Sequence, residues 1–266
     1  MTAERRIETE IEVPGTPEEV WEAIATGPGV TAWFVPTEIE PRVGGSYAHD
    51  HGAGFEETGT ITAYDPPHRL RYEDAPFHPE GDAAGARVLA TEYLVEARGG
   101  GTCVVRVVTS GMGDGDEWDA AVESFTTGWR RALADLRVYR QRFPGERAAT
   151  ILAGGPAAPG ASAAAAWDAL AEAVGIPARP AVGERVRSRD GGPALAGEVV
   201  EAGDAGAVTI VLDEPGPGLA WLGTGGPGSQ VFRFARIRLY GDGAEEVAAR
   251  ERPAWQALLD GVGAAG

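Results

Sequence analysis

Residues 11–34 read "IEVPGTPEEVWEAIATGPGVTAWF", and the parsing of this stretch decides the fold. It continues an alternation begun in "IETEIEV" (7–13), where apolar and polar residues swap at each step, as in a half-buried strand. Thr16, Pro17 and Glu19 come next: an N-cap, a proline suited to the first helical position, and the acid of a capping box. Val20, Trp21 and Ile24 then share the apolar face of a short helix, and "GPGVTAWFVP" reads as a second short helix closed by Pro36.

Beyond this start, residues 37–110 alternate strand and turn. "TEIEPRV", "GSYAHDH", "ETGTITAYD", "HRLRYED", "RVLATEYLVEA" and "TCVVRVVTSG" are separated by "GG", "GAG", "DPP", "RGGG" and a longer break, "PFHPEGDAAGA". Short glycine- and proline-marked connections predict an antiparallel meander. Residues 116–143 are the strongest helix: Trp118, Val122, Phe125, Trp129, Ala132, Leu133, Leu136 and Tyr139 recur at three- and four-residue steps. The helix begins acidic, with Asp114 or Asp116 as its cap, and ends rich in arginine, which suits its dipole.

Residues 146–161 lose periodicity and are dominated by Ala, Gly and Pro, which reads as a linker. The expected organisation is therefore a domain over 1–145, a linker over 146–161 and a second domain over 162–266. The second half echoes the first. "AWDALAEAVG" matches "VWEAIATGPG", pairing Trp167 with Trp21, and "AVGERV" matches "RVGGSY". "LYGDGAEEVAARERPAWQALLDGV" matches "TSGMGDGDEWDAAVESFTTGWRRALADL", pairing Trp255 with Trp129. This copy is shorter and is expected to lack the opening strand.

The net charge is −17, and all 23 basic residues are arginine. Lysine chemistry is excluded, and so acidic a chain repels phosphate backbones, which argues against nucleic acid as a partner. No apolar run is long enough for membrane insertion. The single Cys103 and a polar N-terminal stretch lead to the expectation of a cytoplasmic protein.

Taken in order, "IEVPGTPEEVWEAIATGPGVTAWF", "PRVGGSY" (41–47), "GTITAYDPPHRLRY" (59–72) and "GWRRALADLRVY" (128–139) resemble the START-like/SRPBCC superfamily. Within it, they are most similar to the branch named after the activator of the heat-shock-protein-90 ATPase. The resemblance implies an α+β helix-grip fold: a curved antiparallel sheet around the long helix, with a cavity between them, followed here by a truncated second copy. It also implies a small hydrophobic or amphipathic ligand in that cavity.

Three functions stay open. The first is a non-catalytic binding protein. The second is a cyclase- or dehydratase-like enzyme using His49 or His51 with cavity tyrosines. The third is a protein-interaction module linked to a chaperone or to a homodimer. A cavity filled by the domain's own side chains would count against the first.

"AHDHGAGF" (48–55) holds the sharpest local question. His49 and His51 share one strand face roughly 6–7 Å apart. Two imidazoles need further ligands to hold a metal, and only Glu56 and Glu57 are at hand, so no metal is assigned. The cavity candidates are Trp33, Phe34, Tyr47, His49, His51, Tyr93, Trp118, Phe125 and Trp129, with Tyr64 and Tyr72 as further strand tyrosines. No G-x-S-x-G, dinucleotide fingerprint or phosphate loop occurs, so no catalytic residue and no cofactor are assigned. All four histidines and the Trp33–Phe34 pair lie in the first half, which is where the pocket is expected.

Overall fold

The alternation at the start of the chain becomes strand β1 (Arg5–Pro14), with Ile7 and Val13 buried and Glu8, Glu10 and Glu12 exposed. The structure is a computed structural model that describes residues 5–79, 81, 85–203, 206–226 and 230–262. It divides into two compact units, residues 1–50 with 56–146 and residues 51–55 with 147–266.

In the first unit, helix α1 (Pro17–Ala25) opens on the expected capping box. The Thr16 hydroxyl accepts from the Glu19 amide at 3.3 Å, and Glu19 Oε2 accepts from the Thr16 amide at 3.0 Å. Helix α2 (Gly27–Thr31) follows at once, capped by Thr26. A side chain at Gly29 would put its Cβ 2.0 Å from the Glu22 carbonyl oxygen, so the tight turn between the helices requires glycine there. Trp33 is fully buried behind them, and its indole N–H donates to the Ala23 carbonyl at 2.8 Å.

The meander comprises β2 (Thr37–Ile39), β3 (Ser46–Gly52), β4 (Phe55–Asp65), β5 (Arg69–Asp74), β6 (Ala90–Arg98) and β7 (Thr102–Met112). The seven-stranded sheet runs β1-β7-β6-β5-β4-β3-β2, so the first strand closes against the last, with Ile11 opposite Val105. Helix α3 (Asp116–Arg142) packs chiefly along β1. Gly115, not an aspartate, stands at its cap. Its second half buries Ala132, Leu133, Leu136 and Tyr139. Arg140 pins that end by donating to the Pro14 carbonyl at 3.1 Å and pairing with Glu19 at 3.0 Å. In its first half, Val122, Phe125 and Trp129 are only partly covered. Strand, two short helices, meander and long helix make this the helix-grip fold.

The second unit repeats the wiring. It contains β8 (Ala149–Pro156), α4 (Ala163–Val174), β9 (Arg185–Arg187), β10 (Ala196–Gly203), β11 (Ala207–Glu214), β12 (Gly218–Gly225), β13 (Phe232–Leu239) and α5 (Ala244–Gly261). Its sheet runs β8-β13-β12-β11-β10-β9, again with first strand against last. Two expectations are corrected here. Residues 149–156 are not linker but the opening strand, paired along their whole length with β13, Ile151 opposite Ile237 and Ala153 opposite Ala235. The strand alternates buried and half-buried residues, but its buried positions are Ala149, Ile151, Ala153 and Gly155. Alanine and glycine give little hydrophobic contrast, so the period was invisible. What the copy lacks, among the described residues, is a counterpart of α2 and of β2. Its core is filled by Trp167, Leu170, Ile210, Leu222, Trp255 and Leu259.

Candidate functional site

Alternation along β3 to β6 turns one set of side chains to the inner face of the first sheet. β3 supplies Tyr47 and His49, β4 supplies Glu57 and Ile61, β5 supplies Leu70, Tyr72 and Asp74, and β6 supplies Thr91 and Tyr93. The aromatic members touch in a continuous layer. Ring centroids lie 4.1 Å apart for Tyr47 and Tyr72, 5.0 Å for Tyr47 and His49, and 6.2 Å for Tyr72 and Tyr93. Phe34 from the segment after α2 and Trp129 from α3 close over it. They stack at 5.9 Å, while Phe34 meets His49 edge-on at 5.8 Å and Trp129 meets Tyr93 edge-on at 5.7 Å. The Trp129 indole N–H donates to the Thr109 hydroxyl at 3.0 Å, which fixes its depth.

His49 is buried, which settles the face on which it lies. The Thr37 hydroxyl stands between the Val35 carbonyl, to which it can donate, and His49 Nδ1, each at 2.8 Å.

The distinctive chemistry sits one strand away. The Tyr47 hydroxyl lies within hydrogen-bond reach of both Asp74 Oδ1 and Glu57 Oε1, the latter at 3.3 Å. A phenol has one proton to give, so it serves one carboxylate. Burial, reinforced by the Glu57 charge and opposed by the Tyr47 hydrogen bond, pushes the Asp74 carboxyl up to about 7. Burial first, and then the two carboxylates, hold the Tyr47 hydroxyl firmly protonated. The Tyr72 hydroxyl is buried beside them and, among the described residues, has no partner at hydrogen-bond geometry; burial first, then the Tyr93 hydroxyl, push its titration well up.

Of the nine residues singled out from sequence, Trp33, Phe34, Tyr47, His49, Tyr93 and Trp129 come together, with Trp33 as a fully buried plug. Trp118 and Phe125 belong to an adjoining cluster with Phe77, Leu89 and Met112, in which Trp118 is core. His51 does not join either, because it lies in the tip 51–55 that groups with the second unit. Among the described residues, no group of three His, Cys, Asp or Glu side chains is arranged to hold a metal ion. Asp74 was missed in the sequence, although "RLRYED" already placed Leu70, Tyr72 and Asp74 on one face.

The void enclosed by Ile24, Val30, Ile39, Tyr47, His49, Ile61, Leu70, Tyr72 and Tyr93 measures about 10 Å³, room for a single water. The expected preformed chamber is therefore absent from this part of the sheet, because the inward aromatics fill it. An open cleft of about 630 Å³ lies against β2–β5 and reaches Tyr47 and Asp74.

Residues 14–141 match the family described as activator of Hsp90 ATPase homolog 1-like protein. The match covers most of the first unit and just under half of the chain. No curated protein matches the chain. Among solved structures, protein MLL2253 from Mesorhizobium loti is 20% identical, with a TM-score of 0.47 over 52% of this chain and 98% of its own. The Aha1 dimer from Colwellia psychrerythraea is 19% identical, with a TM-score of 0.42 over 51% of this chain and 96% of its own. The di-domain ARO/CYC protein BexL of the BE-7585A biosynthetic pathway is 13% identical, with a TM-score of 0.48 over 98% of this chain and 99% of its own. These likenesses are too distant to carry a function. No helix among the described residues is long and apolar enough to cross a membrane.

Proposed function

We propose that the first domain binds a small hydrophobic or amphipathic molecule between its sheet and the first half of α3, without catalysing a reaction on it. The observation that carries this reading is the half-covered aromatic stripe. Phe34, Phe77, Phe125 and Trp129 keep part of their surface open, while Leu133 and Leu136 of the same helix are fully buried one turn further on. Covering such surface stabilises a complex by about 25 cal/mol per Å² of apolar area. An aromatic lining with a few fixed polar groups is what small-molecule sites present. The interior beside Tyr47, Tyr72 and Tyr93 is filled and counts against a preformed chamber there, so the surface offered to a ligand is the open part of Phe34, Phe77, Phe125 and Trp129.

Titration with N-phenyl-1-naphthylamine, whose fluorescence rises in apolar surroundings, tests the reading. Saturable binding is expected, weakened at least about tenfold in Trp129→Ala. No saturable binding, or an unchanged affinity in the variant, would refute it.

One observation favours a second reading. A carboxyl titrating near neutrality beside a protonated phenol is the pairing that a proton-transfer enzyme of the cyclase or dehydratase class would use. In that case Asp74 and Tyr47, not His49 and His51, carry the protons. Turnover of a model polyketone abolished in Asp74→Asn would support it. A chaperone-linked role rests on the family's name alone.

A further inference from the structure

We propose that the second domain binds the carboxylate of a small molecule with an apolar body, held by Arg233 in the cleft between the end of β8, the loop that leads to α4 and the last turn of α5. The site lies in the other unit from the aromatic stripe and is independent of the binding reading above.

The two units end their opening strands alike. Strand β1 closes on Pro14 and β8 on Pro156, and each proline carbonyl accepts from a buried arginine, Arg140 in the first unit and Arg233 in the second. Arg140 also has a carboxylate partner, Glu19, at 3.0 Å. Glu19 is the third residue of α1; the third residue of α4, after its Ser162 cap, is Ala165. The second copy has kept a buried cation at this point and lost the anion.

Arg233 lies on the inner face of β13, in the row that continues through the core residues Ala235, Ile237 and Leu239. It is 3% exposed. Two of the five N–H donors of its guanidinium are used, on the carbonyls of Pro156 and Val262. Its Nε has no hydrogen-bond partner, and among the described residues no carboxylate lies within ion-pair distance of it. Burial lowers its pKa, yet a guanidinium keeps its charge at neutral pH. A buried charge faced only by carbonyl dipoles is costly, and a carboxylate on its unused N–H groups offsets that cost.

A cleft of about 620 Å³ opens onto Arg233. Its walls include Pro156, Ala157, Ala161, Val231 and Leu259, which suit a short hydrocarbon body. Ala161 stands next to the Ser162 cap, and the first turn of α4 carries no acid, so the helix dipole also favours an anion there. Asp260 lines the cleft too, but it is exposed and its Oδ1 accepts from the Gln256 amide at 2.8 Å, so solvent screens its repulsion.

Isothermal titration of the full chain with hexanoate, hexanamide and acetate tests this, at about 0.15 M salt so that the net charge of −17 is screened. Hexanoate is expected to bind at least about tenfold tighter than hexanamide, and tighter than acetate because its tail is covered. Arg233→Gln should erase the preference for the acid. That variant also loses two carbonyl contacts and can unfold the unit, so a second one decides. Ala165→Glu, at an exposed helix position, restores the acid that Arg140 has in the first unit. It should keep the fold and weaken hexanoate at least about tenfold, with hexanamide binding unchanged. It should also leave N-phenyl-1-naphthylamine binding intact, which separates this cleft from the aromatic stripe.

Equal affinity for hexanoate and hexanamide, acetate binding as tightly as hexanoate, or an undiminished preference for the acid in Ala165→Glu would overturn the site and leave the reading of the first domain standing.

Discussion

Tyr47 stands between two acids with one proton to offer, and burial together with the Glu57 charge pushes the Asp74 carboxyl up. Its folded-state value of about 7 lies above the ordinary aspartate value of about 4. Between those values folding takes up a proton. The contribution of Asp74 to stability is therefore complete below about pH 4 and is lost as pH rises through about 7. Asp74→Asn, which cannot ionise, should flatten that slope in denaturant melts. It should gain on the order of 1–2 kcal/mol over the unmodified protein at about pH 8, a figure kept low because half-buried charges are screened, and little at about pH 4. Parallel pH profiles would remove Asp74 from this role. Gly59 supports the same cluster: a Cβ there would stand 2.6 Å from Tyr47 Cε1 and 2.1 Å from the Glu73 carbonyl oxygen. The alternation of "RLRYED" was legible, but which face it turned inward was not. That depends on pairing Tyr72 opposite Thr91 and Ile61, which lie 19 residues ahead and 11 behind.

Helix α3 is covered unevenly. Its spacing announced one continuous apolar stripe; the structure buries Trp118 at its start and Leu133, Leu136 and Tyr139 at its end, and leaves Val122, Phe125 and Trp129 between them partly open. Leu136 is fully buried, so Leu136→Ala should cost about 2–5 kcal/mol by leaving a cavity. Phe125→Ala should cost less in thermal or denaturant melts and more in apolar-dye binding. The reverse order would mean that the open part is ordinary core. Thr16→Ala should cost about 1 kcal/mol through loss of the α1 cap, because the capping box is made on both sides. Strand β8 shows the opposite legibility. Capped helices with large apolar residues declare themselves locally, whereas "ATILAGGP" becomes a strand only because β13 supplies a partner for its backbone.

At the scale of the whole molecule, two copies of one wiring have diverged in how they fill the space under the long helix. Trp129 is half-buried at a rim, and its counterpart Trp255 is fully buried in a packed core. Trp255→Ala should therefore destabilise by about 3–5 kcal/mol and leave dye binding intact, while Trp129→Ala should do the converse. Equal effects of both on binding, at matched stability, would end the asymmetry. A chain of residues 147–266 should melt cooperatively, and one of residues 162–266, without β8, should not, because β13 would lose its partner along a whole edge. The sequence by itself determined the order of elements, the caps, the helix-grip frame and its faint repetition, since these follow from contrasts between neighbouring residues. Only the tertiary structure decided that β8 is a strand, that His49 faces inward while His51 lies in another unit, and that Glu57 and Asp74 meet over one phenol. Those facts depend on backbone pairing and on the desolvation of groups far apart in the chain, and neither leaves a local signature.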